Sequence, residues 1–298
     1  MRNPPPKAYN RIVSVKFDRA RPARLRRARR YIVIGPNGSS SKLVINGLQK
    51  TFVVNEGFGH SRTVHAIENI SLEVGDGEFV CVIGPSGCGK STMLMIVAGL
   101  YPKSGGEIFL DNEPLSEPGL NRGMVFQDFA LFPWLSVREN ILYGVKQKKI
   151  PAEKHKEIVT HYIDMMSLNG FEDIFPNRLS GGMRQRVAIA RALALDPELL
   201  LMDEPFGALD AQTRANLQRV LVDVWEHTRK TVMFITHDVR EATFLADRVI
   251  VMSARPGRIT REIRVGLPRP RDILAPEFVE IERKLTGLIE SQTETPTI

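Results

Sequence analysis

The 298-residue chain suits one large domain, or one domain with lobes, and its 43% hydrophobic and 25% charged residues are ordinary for a protein that buries a core. No apolar run approaches the ~18 residues that a membrane-spanning helix needs, so work at a membrane would require a partner. The two cysteines, Cys81 and Cys88, suit neither a disulfide nor a metal cluster and favour a reducing cytosol.

The formal net charge of +7 is concentrated in residues 1–40, which hold eleven Lys or Arg residues and one acidic residue, a net charge of +10. Residues 41–298 carry a net charge of −3. A nucleic-acid partner would therefore have to bind the basic N-terminal extension, residues 1–40. Its composition predicts a basic, disordered extension. Three interpretations stay open: binding to anionic lipid, an organelle transit peptide, or, as we favour, an unstructured extension, for which a start codon assigned too far upstream is one origin.

From residue 42 the pattern becomes strand-like, with a loop over residues 54–62 that holds Asn55 and two glycines. Asp111-Asn112 predicts a hairpin turn after a further short strand. These strands indicate an antiparallel flap on a parallel core. In chain order they are residues 43–45, 63–67, 70–74, 78–83 and 107–110.

The strand at residues 78–83 leads into a nonapeptide that fits G-x-x-x-x-G-K-[ST], the phosphate-binding loop. Its residues are Gly84, Pro85, Ser86, Gly87, Cys88, Gly89, Lys90, Ser91 and Thr92. The glycines let backbone N–H groups turn inward around an anion. Lys90 brings a positive charge to the β- and γ-phosphates, and the Ser91 hydroxyl can ligate Mg²⁺. Because a helix is predicted directly after this loop, its positive dipole end would point at the phosphates, which predicts a nucleotide site.

The second half of the chain alternates helices and apolar strands. A short strand over residues 123–126 ends at Gln127, and residues 137–175 are mostly helical, which predicts a helical lobe inserted into the core. Apolar, uncharged strands separated by helices indicate a parallel sheet covered on both faces. The strands are residues 199–202, 231–235 and 249–252.

Asp203 and Glu204 follow the apolar strand at residues 199–202. A carboxylate at the carboxyl edge of a parallel strand, beside a phosphate loop, can hold Mg²⁺, usually through water. Glu204 is placed to polarise an attacking water. Such a pair alone often only starts a turn, but the phosphate loop upstream favours the catalytic interpretation.

A resemblance becomes specific at Leu179-Ser180-Gly181-Gly182-Met183. Over about residues 42–260, the chain resembles the nucleotide-binding subunit of an ATP-binding-cassette (ABC) transporter, with its motifs in family order. The motifs are this signature, the phosphate loop, Gln127, Asp203-Glu204, Ala208-Leu209-Asp210 and His237. The resemblance implies an α/β, P-loop NTPase (RecA-like) fold: a parallel-sheet core with an antiparallel β flap and an inserted α-helical subdomain. It implies an ABC ATPase domain at residues 41–265, with the helical subdomain at about 128–178 and a C-terminal tail at 266–298.

The resemblance also implies the roles of single residues near the phosphates. The implied catalytic residues are Glu204, His237, Gln127 and Lys90, and the implied Mg²⁺ ligands are Ser91, Gln127 and Asp203. Gln127 would also couple the site to the membrane partner, and His237 would bond the γ-phosphate.

Other implied contacts join two copies of the chain. Ser180, with Gly181 and Gly182, would bind the γ-phosphate held by the other protomer, and Asp210 would shape the dimer seam. Phe52, which follows Lys50-Thr51, would stack on adenine. Two departures from the family pattern are Met183, in place of a frequent glutamine, and the longer loop at residues 54–62.

Within the family, residues 131–135, 205–210 and 253–259 are similar to importer subunits for nitrate, sulfonate, taurine or bicarbonate. This implies an ATPase that uses ATP and Mg²⁺ to power an importer of a small anion. Its implied partners are a second copy, transmembrane permease subunits and, indirectly, a substrate-binding protein. The chain would then be a peripheral protein on the cytoplasmic face of the inner or plasma membrane.

A soluble ABC-type ATPase that acts on nucleic acid or ribosomes stays open as the alternative. DNA-repair ATPases of this type insert a long coiled coil between phosphate loop and signature, whereas Lys90 and Ser180 are only 90 residues apart. Translation ATPases normally carry two cassettes on one chain. The apolar residues from Phe129 to Trp134 predict a dock for a permease helix, or else core of the helical lobe.

Overall fold

The computed structural model describes residues 41–57, 60–148, 150–253 and 255–293. The basic extension, with its predicted disorder, lies outside these residues. The strands are β1 (Ser41–Gly57), β2 (His60–Gly75), β3 (Phe79–Ile83), β4 (Gly105–Leu110), β5 (Glu113–Pro114), β6 (Arg122–Val125), β7 (Leu199–Asp203), β8 (Thr231–Ile235), β9 (Arg248–Met252) and β10 (Ile259–Arg264). The helices are α1 (Lys90–Val97), α2 (Val137–Gln147), α3 (Ala152–Met165), α4 (Gly181–Ala194), α5 (Ala211–Thr228), α6 (Val239–Leu245) and α7 (Pro276–Thr293), with a 3-10 turn at Pro176–Arg178.

The central sheet has six strands in the order β10-β9-β3-β8-β7-β6. All its pairings are parallel except that of β10 with β9. Every residue of β3, β7 and β8 is buried, which explains their continuous apolar sequences. Alternate residues of these strands enter two hydrophobic cores, one with Cys81 and Phe234, the other with Val82 and Ile235. The predicted doubly covered parallel sheet is confirmed.

The second sheet is antiparallel, in the order β2-β1-β4-β5, and forms the predicted flap. The predicted loop at residues 54–62 is wrong, because β1 and β2 stay paired there, from Val54 opposite Arg62 to Gly57 opposite His60. Both faces of this ladder are exposed at Val53, Val54 and Arg62. A ladder that is exposed on both faces needs no hydrophobic alternation, which is the signal on which the prediction depended.

Helices α2 and α3 form the predicted helical lobe, and both pack against α4. The signature sequence therefore begins a helix that joins the lobe to the central sheet, since α4 also contacts β6. Residues 266–298, treated above as a tail, include α7, which packs against α6 and β9 and buries Phe278 and Leu285 completely. None of the helices in the described residues combines the length and hydrophobicity required to cross a bilayer.

Candidate functional site

The phosphate loop connects β3 to α1 at the carboxyl edge of the parallel sheet. Gly89, with a φ of 97°, precedes the first turn of α1. Lys90 is buried, and its Nζ donates hydrogen bonds to the carbonyl oxygens of Gly84 at 2.9 Å and Pro85 at 3.1 Å. The ammonium group therefore lies across the loop and adds a full positive charge to the amino end of the helix.

The other loop residues lie in the same turn. Ser86 is exposed, Thr92 is half-buried and Cys88 is buried. Burial raises the pKa of the Cys88 thiol, although the nearby Lys90 charge opposes this shift. Cys88 is therefore a neutral packing residue of the loop.

Ser91 and Asp203 are in direct contact, although 112 positions separate them in the chain. The Ser91 hydroxyl donates a 2.8 Å hydrogen bond to Oδ1 of Asp203, the last residue of β7. Burial raises the pKa of Asp203, while the Ser91 hydrogen bond lowers it and Glu204 raises it further. The positive charge of Lys90 lowers the pKa of Asp203, and a further cation near this carboxylate would also favour its ionised form. The pair offers hydroxyl and carboxylate oxygens, which hard divalent cations prefer.

Glu204 and His237 form a second pair beside the first. Glu204 Oε2 lies 2.9 Å from His237 Nδ1, so the tautomer with a proton on Nδ1 donates to the carboxylate. Glu204 has a φ of 43°, in the left-handed region that few non-glycine residues adopt. Its N–H donates to the carbonyl oxygen of Ile235 at 3.0 Å, which ties the turn after β7 to the end of β8. Strained backbone held by neighbouring strands is typical of functional sites.

Gln127 follows β6 and is exposed. Its Nε2 and Glu204 Oε2 lie 3.7 and 3.9 Å from the position that a Cβ at Gly207 would occupy. The Gln127 amide and the Glu204 carboxylate therefore face the same small space. Among the described residues, no group of three or more His, Cys, Asp or Glu side chains could hold a metal. A cation here would depend on Ser91, Asp203, Gln127 and oxygens of a bound anion.

Phe52 lies on β1, half-buried. Its ring contacts the edge of Tyr101, with 6.5 Å between centroids, and the Lys50 ammonium lies 4.7 Å from the ring centroid. Lys50 on β1 is paired with Ile67 on β2. The residue before Ile67, Ala66, contacts the phosphate loop at Gly89. Because strands rise by about 3.3 Å per residue, Phe52 lies about 7–10 Å along the sheet from that contact. Its role in adenine stacking stays a prediction.

The signature residues begin α4, directly after the 3-10 turn that follows the helical lobe. Ser180 is the exposed N-cap of α4, and its Oγ accepts a hydrogen bond from the N–H of Met183 at 3.3 Å. A Cβ at Gly182 would lie 2.4 Å from the Thr213 side chain, so only glycine permits this contact of α4 with α5. No hydrogen bond in the described residues joins Ser180 to Lys90 or Ser91.

Asp210 is the N-cap of α5 and accepts a 2.9 Å hydrogen bond from the N–H of Thr213. This bond and others from the first turn of α5 lower the pKa of Asp210. Since Thr213 also lies against Gly182, the Asp210 turn and the signature pack against each other. Met183, at the position where the family often has glutamine, packs its side chain against the core.

Sequence reasoning missed Asn140, which shapes the segment at residues 129–134, called here the aromatic segment. Asn140 is completely buried on α2, and its amide bonds the backbone of Phe132, Leu135 and Ser136 at 2.9–3.2 Å. A polar residue within an amphipathic helix was the only signal. The segment is thereby fixed with Trp134 69% exposed.

Comparisons with known proteins agree on one family. Residues 67–207 match the family model described as ABC transporter. The aliphatic sulfonates import ATP-binding protein SsuB of Bacillus cereus is 47% identical over 247 residues, which are 83% of this chain and 95% of that protein. The nitrate import ATP-binding protein NrtD of Synechocystis sp. is 41% identical over 264 residues, 86% of this chain and 97% of that protein.

Among solved structures, the chain is similar to a dimeric ATP-binding cassette in a post-hydrolysis state bound to ADP and Pi. The TM-score is 0.66 and the sequence identity 33%, over 76% of this chain and 100% of that chain. The likeness covers the whole of that cassette, so this chain contains a copy of the complete cassette fold.

Proposed function

Because the chain belongs to the ABC transporter family, as one of its ATP-binding ATPase subunits, we propose that it powers an importer of small oxyanions. One observation carries this proposal: the chain aligns with nearly the full length of import ATP-binding proteins named for aliphatic sulfonates and for nitrate. Both substrates carry a small anionic group with several equivalent oxygens, and such a group is also present in bicarbonate and in taurine, a zwitterionic sulfonate. The substrate itself would meet other subunits, so this chain supplies the energy and not the selectivity.

We propose Mg²⁺ as the cofactor that accompanies ATP. Ser91 Oγ, Asp203 Oδ1 and the Gln127 side-chain amide are the oxygen groups that would hold it, in keeping with the preference of Mg²⁺ for hard ligands. A bound Mg²⁺ would neutralise charge on the phosphates. Burial raises the pKa of Asp203, and a cation beside this carboxylate would favour its ionised form.

In this proposal Glu204 is the general base that takes a proton from the attacking water. The Nδ1 proton of His237 holds the carboxylate in position. If Nδ1–H stays on Glu204, His237 can donate to a phosphate oxygen through Nε2 only as the imidazolium ion. A neutral His237 would have to break its bond with Glu204 first. ATP binding would therefore either recruit a proton to the ring or release the carboxylate towards the water.

We further propose that two copies of the chain act together on the cytoplasmic face of a membrane, bound to permease subunits and, through these, to a substrate-binding protein. The ATPase domain would span residues 41–265, with the helical subdomain at about 128–178. Ser180 and Asp210 are exposed N-caps, and no hydrogen bond among the described residues joins them to the phosphate loop, which supports their use by a second copy. The nucleic-acid alternative is not favoured, since residues 41–298 carry a net charge of −3.

Uptake measurements test the proposed substrate class. Cells that lack this chain should lose energy-dependent uptake of at least one of nitrate, an alkanesulfonate, taurine or bicarbonate, each measured as a labelled anion. The wild-type chain should restore the uptake, and Glu204→Gln should not. Normal uptake of all four anions without the chain, with loss of a cationic or sugar substrate instead, would contradict the proposal.

Trp134→Ala should reduce anion uptake about tenfold or more while leaving the ATPase rate of the isolated subunit within about twofold of wild type. Trp134 is exposed and touches Phe132 at a centroid distance of 5.6 Å, so its removal leaves the lobe's core intact. An exposed tryptophan in the segment that follows Gln127 along the chain suits a hot spot for a permease helix. Parallel measurements of uptake, ATPase rate and melting temperature check this result.

Leu274→Ala provides the control for Trp134→Ala, because Leu274 is an apolar residue that is 82% exposed outside the helical lobe. This variant should retain full uptake. A large drop in melting temperature for Trp134→Ala would support the alternative that the aromatic segment is core. Full uptake by a well-folded Trp134→Ala subunit would remove this residue from the dock.

A further inference from the structure

Between β9 and β10, residues 253 and 255–258 are held by hydrogen bonds in a tight turn against the phosphate loop. The N–H of Ser253 donates to the carbonyl oxygen of Arg258 at 2.8 Å, and the N–H of Arg258 donates to Ser253 Oγ at 3.1 Å. Ser253 Oγ also donates to the carbonyl oxygen of Pro256 at 3.2 Å. These bonds close the turn without any contribution from the side chain of Arg255.

Gly257 locks this turn against two other segments. Its N–H donates to the carbonyl oxygen of Ala66 at 3.0 Å, and its own carbonyl oxygen accepts from the N–H of Glu68 at 3.0 Å. A Cβ at Gly257 would lie 2.0 Å from the carbonyl oxygen of Cys88, so any other residue would displace the turn from the phosphate loop. The position of Arg255 relative to the phosphate loop is therefore determined by backbone contacts.

The turn brings the Arg255 guanidinium group against Gly87, in the middle of the phosphate loop. Arg255 Nη2 and Nε lie 3.1 and 3.6 Å from the position that a Cβ at Gly87 would occupy. The side chain is exposed and has no hydrogen bond or ion pair with any described residue. Arg258, in the same turn, instead pairs with Glu68 at 2.8 Å. Within the described part of the chain, Arg255 is thus a cation that no carboxylate pairs with, and it lies beside a loop whose chemistry is to hold an anion.

We propose that Arg255 is a second nucleotide-binding cation, whose guanidinium group contacts the phosphate chain of ATP or ADP beside Gly87. The inference rests on the ATP binding that the family provides and adds a contact to it. A guanidinium group donates up to five N–H bonds and suits phosphate oxygens. Since Arg255 reaches the loop from outside the phosphate-loop motif, its effect should be on nucleotide affinity and not on the chemical step.

Arg255→Met should weaken ATP and ADP binding about fivefold to tenfold, as expected for one charge-assisted contact that is partly exposed to water. Methionine keeps an unbranched apolar stem and removes the charge. Arg255→Lys should retain most of the affinity. Calorimetric titration with ADP, and with ATP in a Glu204→Gln background, measures these constants. The loss should shrink between about 0.1 M and about 1 M ionic strength, because salt screens an exposed charge contact.

Arg258→Met is the matched control, because it removes an equal charge from the same turn. The partner of the Arg258 charge is Glu68 and not the phosphate loop. This variant should leave nucleotide affinity within about twofold of wild type. Adenosine, which has no phosphates, should bind wild type and Arg255→Met equally. Should Arg255→Met fold poorly, Arg255→Gln replaces it with a polar neutral side chain.

The outcomes separate this inference from the proposed function. Wild-type affinity in a folded Arg255→Met or Arg255→Gln variant would overturn the inference and leave the ATPase assignment intact. A loss that is equal for adenosine and ATP, or that is independent of salt, would also overturn it in favour of a packing role. No ATP binding by the wild-type chain would instead contradict the ATPase itself.

Discussion

Glu204→Gln should slow ATP turnover by about 10²–10⁴-fold while the affinity for ATP stays within a few-fold of wild type, the usual result of losing a positioned base. Glutamine matches the shape of the carboxylate but accepts no proton from water. The backbone at Glu204 is held by Ile235, so the substitution should not move the turn. Phosphate release at saturating ATP measures turnover, and equilibrium titration measures binding.

Glu226→Gln is the control for this variant, because Glu226 is an exposed residue of α5 outside the site. Its turnover should equal that of wild type. Turnover of Glu204→Gln close to wild type would remove Glu204 from the role of base. A parallel loss of ATP affinity and melting temperature would instead indicate that the Glu204–His237 pair mainly supports the fold.

The central sheet could be predicted from the sequence because its strands are buried on both faces. Such strands are short, continuous apolar segments, and those at β3, β7, β8 and β9 were placed almost to the residue. The phosphate loop and Asp203-Glu204 could be predicted for the same reason. The phosphate loop lies at the carboxyl end of β3, and Asp203-Glu204 lie at the carboxyl end of β7. Because these strand ends meet at one edge of the sheet, the order of the segments in the sequence implies that the loop and the two carboxylates are close together.

The parts that could not be predicted depend on contacts between distant segments. Arg255 reaches Gly87 only because β9 is hydrogen-bonded to β3, and no spacing along the chain encodes this neighbour relation. The contact of Gly182 with Thr213 likewise requires two helices to cross. Asn140 looked like one polar residue on a helix, whereas its function is to bond the backbone of another segment.

Lys90→Ala and Ser180→Arg should each reduce ATP hydrolysis by about 10²-fold or more, for different reasons. Removing Lys90 deletes the buried ammonium group that lies across the phosphate loop, a loss comparable with that of a pre-organised transition-state donor. Arginine at Ser180 would place a bulky side chain on the exposed start of α4, where a second copy would approach. Only Lys90→Ala should also weaken ATP binding to the isolated chain, which equilibrium titration of both variants checks.

Mixing these two inactive variants tests most directly whether the ATP site is shared between two copies of the chain. In a mixed dimer, one site would collect both defects, and the other would combine Lys90 of the Ser180→Arg chain with Ser180 of the Lys90→Ala chain. We therefore predict that part of the ATPase activity returns on mixing, in proportion to the mixed dimer detected by cross-linking. If each chain completed its own site, no combination would be intact. A cross-linked mixed dimer with no activity above that of either variant would contradict the shared site.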